Sequence, residues 1–214
     1  MQPPDTLCYY LFMDLLLTIL TLIILLFSII IHEISHGTAA YYLGDPTAKM
    51  EGRLSLNPLK HLDPVGSILL PLFLMMLGGP VIGWAKPVPI NPAYFRDKRW
   101  GDLKVSLAGP ASNFALALIF GLIIRFIPLP TGFIEIAVIV VTYNIALAIF
   151  NLIPLPPLDG SHILFSLLPS SFDGLKIFLS QWGFVVLIFI IFLVPDSLNW
   201  IFTVAEKFLY LFLK

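Results

Sequence analysis

The sequence predicts an all-α polytopic membrane protein, with about four to six transmembrane helices and a short membrane-associated β hairpin or extended segment. Of its residues, 58% are hydrophobic and 12% are charged, whereas soluble domains contain about 25% charged residues. The mean hydropathy is +0.95. Several apolar stretches approach the roughly 20 residues that a helix needs to cross a bilayer. The whole chain, residues 1–214, is predicted to form a single domain.

Net charge and cysteine content exclude other classes of protein. The formal net charge is −1, so no basic surface dominates and we expect no nucleic-acid partner. A single cysteine, Cys8, excludes an intramolecular disulfide and a cysteine-rich zinc finger. Residues 1–6 carry no cation, and the first apolar run leads directly into polar residues, so we expect no cleavable signal peptide.

The N-terminal half predicts one long helix followed by short elements. An apolar run without charge in its middle predicts a helix over residues 9–42, and Gly44 followed by Asp-Pro is a stop signal. Residues 47–56 alternate imperfectly between polar and apolar side chains, which predicts a short strand or hairpin. Residues 67–77 are apolar but too short to cross the membrane, and cations on both sides favour a re-entrant hairpin. Three prolines make residues 84–92 an extended segment, predicted to pair with the strand.

The C-terminal half predicts four further apolar helices, over residues 105–127, 133–152, 175–194 and 200–213. The last of these is short, so it is either a tilted span or an interfacial helix. The residues before the first stop signal contain no Lys or Arg, whereas the region 45–104 contains Lys49, Arg53, Lys60, Lys86, Arg96, Lys98, Arg99 and Lys104. This asymmetry predicts that the N-terminus is outside and that the 45–104 region is cytoplasmic.

An HExxH motif lies near the end of the first predicted helix, with His32, Glu33 and His36. Positions i and i+4 share one helix face, so both imidazoles can bind one metal ion. Glu33 is placed to take a proton from water and pass it to a leaving amine, as in zinc proteases with this motif. Such a polar trio is costly to leave unpaired in an apolar helix, which argues against a chance occurrence.

Asp159 is the candidate for a third ligand, because a hydrolytic zinc site needs three protein ligands and one open position. It follows a helix that returns toward the cytoplasm, so it lies on the same side as His32 and His36. Prolines 154, 156 and 157 break this helix, and irregular backbone at membrane depth requires protein or a wet cavity around it. Considered alone, an aspartate before Gly160 is also typical of a turn.

Three motifs in this order resemble the site-2 protease family of intramembrane zinc metalloproteases. They are His-Glu-Ile-Ser-His at residues 32–36, Gly-Pro-Ala-Ser-Asn at 109–113, and residues 151–160, which end in Leu-Asp-Gly. The similarity extends from about residue 25 to 165 and includes the stretches 57–66 and 84–92, which are typical of short bacterial-type members. The chain has no PDZ-like insertion.

The resemblance implies a function and a set of roles. The expected activity is hydrolysis of peptide bonds within or near transmembrane segments, as in regulated intramembrane proteolysis. The expected partners are transmembrane protein substrates and the lipid bilayer, in a prokaryotic plasma membrane with the active site toward the cytoplasm. By the family pattern, one zinc ion per chain is bound by His32, His36 and Asp159, the catalytic base is Glu33, and substrate contacts come from Asn151 and Asn113.

Other interpretations stay open at this point. A divalent-metal transporter would use the same ligands without needing Glu33, although the sequence shows no internal repeat. A non-proteolytic membrane scaffold is a third possibility. For Asn113, a hydrogen bond to a neighbouring helix is as typical a role as a substrate contact. For Gly109, close helix packing is as typical a role as a functional one. We expect His61 and Asp63 to be hydrogen-bonded surface or interfacial residues and His162 to be a loop histidine, rather than metal ligands.

Overall fold

The computed structural model describes residues 4–76, 83–194, 196 and 198–213, and within these ranges the chain forms helices connected by turns. The α-helices are α1 Pro4–Leu43, α2 Thr47–Met50, α3 Leu70–Met76, α4 Gly101–Phe126, α5 Thr131–Asn151, α6 Asp159–Leu167, α7 Asp173–Leu193 and α8 Asn199–Leu213. Tighter single turns occupy Pro58–Lys60, Pro92–Tyr94 and Ser170–Phe172, and a wider helical turn occupies Pro64–Leu69.

Four segments are long and apolar enough to cross a membrane, which confirms the prediction of a helical membrane protein. They are Met13–Leu43, Gly101–Phe126, Thr131–Asn151 and Ser170–Leu193. Helix α8 has 15 residues, which is fewer than the roughly 20 that a full crossing needs. The predicted ends of the long helices lie within a few residues of the observed ones, and α4 begins earlier than predicted, at Gly101.

Helix α4 is the central element, since it packs against α1, α5, α6 and α8. An apolar cluster joins three of these helices and consists of Ala117, Val141, Ile145, Ala205 and Leu209. At Gly121 a Cβ would lie 2.6 Å from ring atoms of Phe212, so only glycine lets α8 lie this close to α4. Helix α8 therefore packs along the bundle.

The predicted β hairpin over residues 47–56 is wrong, because the described residues contain no strand and helix α2 begins there. The Asp45 carboxylate accepts hydrogen bonds from the main-chain N–H and the hydroxyl of Thr47. These bonds start a helical turn, which continues until the N–H of Arg53 donates to the Ala48 carbonyl at 2.9 Å. The imperfect alternation was too short to outweigh these hydrogen bonds.

Residues 83–91 contain no helix, as their prolines predicted. They are held by side-chain and main-chain hydrogen bonds to residues 53–67 and not by a strand ladder. Nη2 of Arg53 donates to the carbonyls of Lys86 and Pro87 at 2.8 and 3.1 Å, and the Lys86 N–H donates to the His61 carbonyl at 2.8 Å. The predicted re-entrant hairpin after residue 67 stays a prediction, because residues 77–82 lie outside the described part of the chain.

A short helix that the sequence did not predict, α6, begins at Asp159 after the proline-rich break. At Gly160 a Cβ would lie 2.3 Å from the Leu152 carbonyl oxygen and 2.5 Å from that of Ile153. Only glycine therefore allows the first turn of α6 to lie against the end of α5. The break and this close contact bring Asp159 back toward α1 and α4.

Candidate metal centre

Three side chains from two distant parts of the chain meet at one point. His32 and His36 lie one helical turn apart on α1, and their Nε2 atoms are 3.0 Å apart. Oδ2 of Asp159 lies 3.0 Å from Nε2 of His32 and 3.2 Å from Nε2 of His36. Both histidines are buried and Asp159 is half-buried. The structure thus brings together the three predicted metal ligands.

The hydrogen bonds behind the imidazoles show which ring nitrogens carry protons. Nδ1 of His36 lies 2.7 Å from the main-chain carbonyl oxygen of Val105, which can only accept, so Nδ1 donates. Nδ1 of His32 donates to Oδ1 of Asn113 at 2.6 Å. A neutral imidazole with a proton on Nδ1 presents a lone pair at Nε2. In neutral rings, both Nε2 atoms therefore face the site as acceptors.

This donor set fits a bound cation. Oδ2 of Asp159 is buried and has no hydrogen-bond donor among the described residues, since the two nearest nitrogens present lone pairs. Three acceptors that face one another at 3.0–3.2 Å repel unless a positive charge lies between them. The separations are close to the roughly 3.3 Å expected between ligands of a tetrahedral zinc ion with bonds of about 2.0–2.1 Å.

Gly109 on α4 leaves space beside these ligand atoms. A Cβ at this position would lie 2.4 Å from Nε2 of His36 and 2.6 Å from Nε2 of His32. Any larger side chain would therefore clash with both ligand nitrogens. The glycine of the 109–113 motif thus leaves room beside the metal ligands, in addition to allowing the close packing considered from the sequence.

Glu33 lies next to the ligands on α1 and is half-buried. Its Oε2 accepts a hydrogen bond from the main-chain N–H of Val88 at 2.8 Å. The extended segment reaches α1 here because Gly37 has no side chain, and a Cβ on Gly37 would lie 2.8 Å from Cγ1 of Val88. A carboxylate beside a metal site, held by one oxygen, has the arrangement of a general base.

Several known proteins are similar to this chain in sequence. The profile of Peptidase family M50 matches residues 128–194. "Putative zinc metalloprotease YwhC" from Bacillus subtilis is 39% identical over 182 residues, which cover 81% of this chain and 80% of that protein. The chain belongs to peptidase family M50. Its M50 relatives also include "Putative zinc metalloprotease Rip2" from Mycolicibacterium smegmatis, 33% identical over 86% of this chain and 70% of that protein.

Family membership identifies this M50 protein as a zinc metalloprotease. It also agrees with the four apolar helices in making the chain an integral membrane protein. A Rip2 protein from Mycobacterium tuberculosis is 30% identical over 84% of this chain and 69% of that protein. No solved structure matches the chain significantly.

The two asparagines predicted to bind substrate lie in different surroundings. Asn113 is fully buried and bonded to His32, so these contacts do not support a direct contact with substrate. Asn151 is half-buried at the end of α5, and its Nδ2 donates to the Leu147 carbonyl at 3.0 Å. A substrate contact for Asn151 stays a prediction.

Three other polar residues lie outside the ligand set. His61 donates to the Ser55 carbonyl at 2.8 Å, so it is hydrogen-bonded as predicted, but at 1% exposure it is buried within the fold and does not lie on its surface. Asp63 begins the turn at Pro64–Leu69 by accepting two main-chain N–H bonds. His162 lies on α6 and not in a loop, and its hydrogen bond to Asp102 raises the pKa of His162.

Residues that support the site were missed in the sequence. Asn144 is hydrogen-bonded to Asn113 and to Ser28 within the bundle. Arg53 holds the extended segment that reaches Glu33. A signal for Asn144 was available, because an amide in an apolar helix requires a polar partner. Asn144 also lies seven residues before Asn151, on the same helix face. Val88 gave no signal, since it contributes a main-chain group.

Proposed function

We propose that this chain is an intramembrane zinc metalloendopeptidase that cleaves peptide bonds within or near the transmembrane segments of other membrane proteins. The observation that carries the proposal is the meeting of His32, His36 and Asp159 with Glu33 alongside, on a helix apolar enough to span the bilayer. His32 and His36 lie 11 and 7 residues before the end of α1 at Leu43, which is roughly 10–17 Å along the helix. Hydrolysis at this depth gives access to bonds inside a membrane segment.

In this proposal His32, His36 and Asp159 hold the zinc ion, with Nδ1–H of each imidazole anchored by a hydrogen bond. Zinc supplies Lewis acidity, which polarises a scissile carbonyl and lowers the pKa of bound water to about 7. The anchored rings cannot rotate freely, so the geometry of the ligands is set before substrate binds. This set leaves a coordination position for the reaction, as hydrolytic zinc sites require.

Glu33 transfers the protons of the reaction. Its Oε2 is engaged by the Val88 N–H, so we assign proton transfer to Oε1. The carboxylate takes a proton from the attacking water and then passes it to the nitrogen of the departing amine. Both transfers use one carboxylate held by the extended segment, which limits the side chain to few orientations.

Substrates are proposed to be transmembrane proteins that reach the site from the bilayer and unwind locally, because helical hydrogen bonds otherwise hide their carbonyls. The cations of the 45–104 region support a site on the cytoplasmic side of the membrane, and we propose the prokaryotic plasma membrane as the location. One way to bind the unwound substrate is to add it as a strand along the extended residues 86–90, but the structure gives this mode little support. The carbonyls of Lys86 and Pro87 and the N–H groups of Lys86 and Val88 are already bonded.

The test is cleavage of a panel of single-span membrane proteins by the purified zinc-loaded chain and by its Glu33→Gln variant in lipid vesicles. Glutamine keeps an oxygen that can accept from Val88 but cannot take a proton from water, so zinc content should be unchanged. We expect cleavage by the wild type only, with the broken bond mapped by mass spectrometry to a transmembrane segment. Equal cleavage by both proteins, or no cleavage by a fully zinc-loaded wild type, would contradict the proposal.

A further inference from the structure

A chain of buried amides connects the metal site to the middle of the helical bundle. Ser28 on α1, Asn113 on α4 and Asn144 on α5 are 4%, 0% and 0% exposed. Nδ2 of Asn113 donates to Oδ1 of Asn144 at 2.8 Å, and Nδ2 of Asn144 donates to Oγ of Ser28 at 2.9 Å. At the other end, Oδ1 of Asn113 accepts from His32. This series of hydrogen bonds thus links helices α1, α4 and α5 to the metal ligand His32.

The direction of these hydrogen bonds is fixed at the end farthest from the metal. Nδ2 of Asn144 lies 2.9 Å from the main-chain carbonyl oxygen of Val140, which can only accept. The amide nitrogen of Asn144 must therefore point to Val140, and its oxygen must point to Asn113. Asn113 then presents its own nitrogen to Asn144 and its oxygen to His32. An oxygen at that position requires a proton on Nδ1 of His32.

We propose that Asn144 is a positioning residue of the zinc site. Anchored on the Val140 carbonyl, it holds the Asn113 amide in the orientation that keeps the proton of His32 on Nδ1 and the lone pair of Nε2 toward the metal. The inference rests on the proposed role of His32 as a zinc ligand. It assigns a task to Asn144, which contacts none of the three metal ligands and acts on His32 through Asn113.

Without the Asn144 side chain, the side-chain amide of Asn113 is free to rotate so that its oxygen and nitrogen exchange places. A turned amide presents its NH₂ to Nδ1 of His32, which then accepts, and the imidazole proton moves to Nε2, where it competes with zinc. The main-chain oxygen of Ser28 also lies near Nδ2 of Asn113, but at 3.5 Å, so it is the weaker anchor. Removing hydrogen-bond partners of metal-binding histidines typically weakens metal binding by 10–100-fold, and we expect about tenfold here.

The experiment measures the zinc dissociation constant of the purified full-length chain in detergent, by competition with a chromophoric chelator. Asn144→Leu and Asn113→Leu should each weaken zinc binding by about tenfold or more. The double variant should be no weaker than Asn113→Leu alone, because Asn144 acts through Asn113. Ser28→Ala should stay within about twofold of the wild type, since the Val140 carbonyl still orients Asn144.

Val141→Ala is the matched control, because Val141 is a fully buried neighbour on α5 that takes no part in the chain of amides. It should lower thermal stability and leave the zinc dissociation constant unchanged. If Asn144→Leu fails to fold, Asn144→Ala takes its place with the same expectation.

Zinc binding within twofold of the wild type in the Asn144 variant would overturn the inference, as would additive losses in the double variant. The readout is independent of proteolysis. A wild type that binds zinc but cleaves no membrane segment would contradict the proposed function alone, whereas a wild type that binds no zinc would overturn both.

Discussion

The main-chain N–H of Val88 donates a hydrogen bond to Oε2 of Glu33, with a nitrogen-to-oxygen distance of 2.8 Å. The two residues are 55 positions apart, and the contact fixes the proposed base against the extended segment. Arg53 holds the same segment one and two residues earlier, at the carbonyls of Pro87 and Lys86. The orientation of Glu33 therefore depends on a buried arginine that lies outside the metal site.

Arg53→Gln should slow proteolysis by about tenfold or more while zinc content stays at the wild-type value. The shorter side chain cannot bond both carbonyls, so the Val88 N–H is no longer held toward Glu33, and small displacements of catalytic groups are costly in rate. Cleavage rate and zinc per chain, measured on the same preparation, check this. Lys60→Gln is the control, because Lys60 is an exposed cation whose ammonium group donates to the Gly52 carbonyl and makes no contact with the extended segment among described groups. If Arg53→Gln cleaves substrate at the wild-type rate, the orientation of Glu33 does not depend on Arg53.

Gly109→Ala should abolish or strongly weaken zinc binding. The added methyl group would lie 2.4–2.6 Å from the Nε2 atoms of His36 and His32, so helix α4 or the histidines must move, at a cost of about 1–3 kcal/mol. Zinc content and thermal unfolding are the measurements. Gly132→Ala makes the same change where a Cβ would meet nothing within 4 Å, and it should bind zinc normally. Full zinc occupancy in Gly109→Ala would show that the space beside the ligands is not needed.

Asp159→Asn should be at least as stable as the wild type without zinc and less stable than the wild type with zinc. In the wild type, zinc relieves the repulsion among three acceptors, and a ligand at 1,000 times its dissociation constant stabilises by about 4 kcal/mol. The asparagine NH₂ can instead donate to Nε2 of His32 or His36, 3.0 and 3.2 Å away in the wild type. We expect the variant to match or exceed the wild type in melting temperature with chelator, and to fall below it with zinc. A variant that is less stable than the wild type under both conditions would argue against three acceptors facing one another at the site.

Asp45 should make the stability of the fold depend on pH at the acid end. Burial acts to raise the pKa of Asp45, but hydrogen bonds from the Asn91 and Thr47 N–H groups and the Thr47 hydroxyl outweigh it, so the pKa is lowered. A lowered folded-state pKa gives stability that is present above the ordinary value of about 3.9 and is lost as pH falls through the folded value.

Asp45→Asn should therefore lower the free energy of unfolding by about 1.5–3 kcal/mol at pH 7. The difference in this free energy between variant and wild type should become smaller below about pH 4. Thermal unfolding from pH 7 to 3, with chelator in both samples to remove the effect of zinc loss, measures this. Asp173→Asn removes an exposed carboxylate paired with Lys176 and should change little at any pH. A constant difference between Asp45→Asn and the wild type across the range would contradict the assignment.

The sequence alone determined the long helices and the first half of the site. Hydropathy decides which stretches leave water, and residues four apart on a helix must share a face, so His32 and His36 follow from local geometry. Asp159 was reached through the direction of a returning helix and through family resemblance. The strand at residues 47–56 was predicted wrongly, because the hydrogen bonds from Thr47 to the Asp45 side chain outweigh a short and imperfect alternation.

Only the tertiary structure decided which groups surround the ligands. The proton positions of His36 and His32 depend on a carbonyl at Val105 and on amides at Asn113 and Asn144, which lie on two other helices. Main-chain groups such as the Val88 N–H carry no signature in the sequence. Their direction depends on how helices rotate and cross when their small residues meet. The sequence therefore determined the metal-binding chemistry, and the packing of α1 against α4 and α5 decided how that chemistry is oriented.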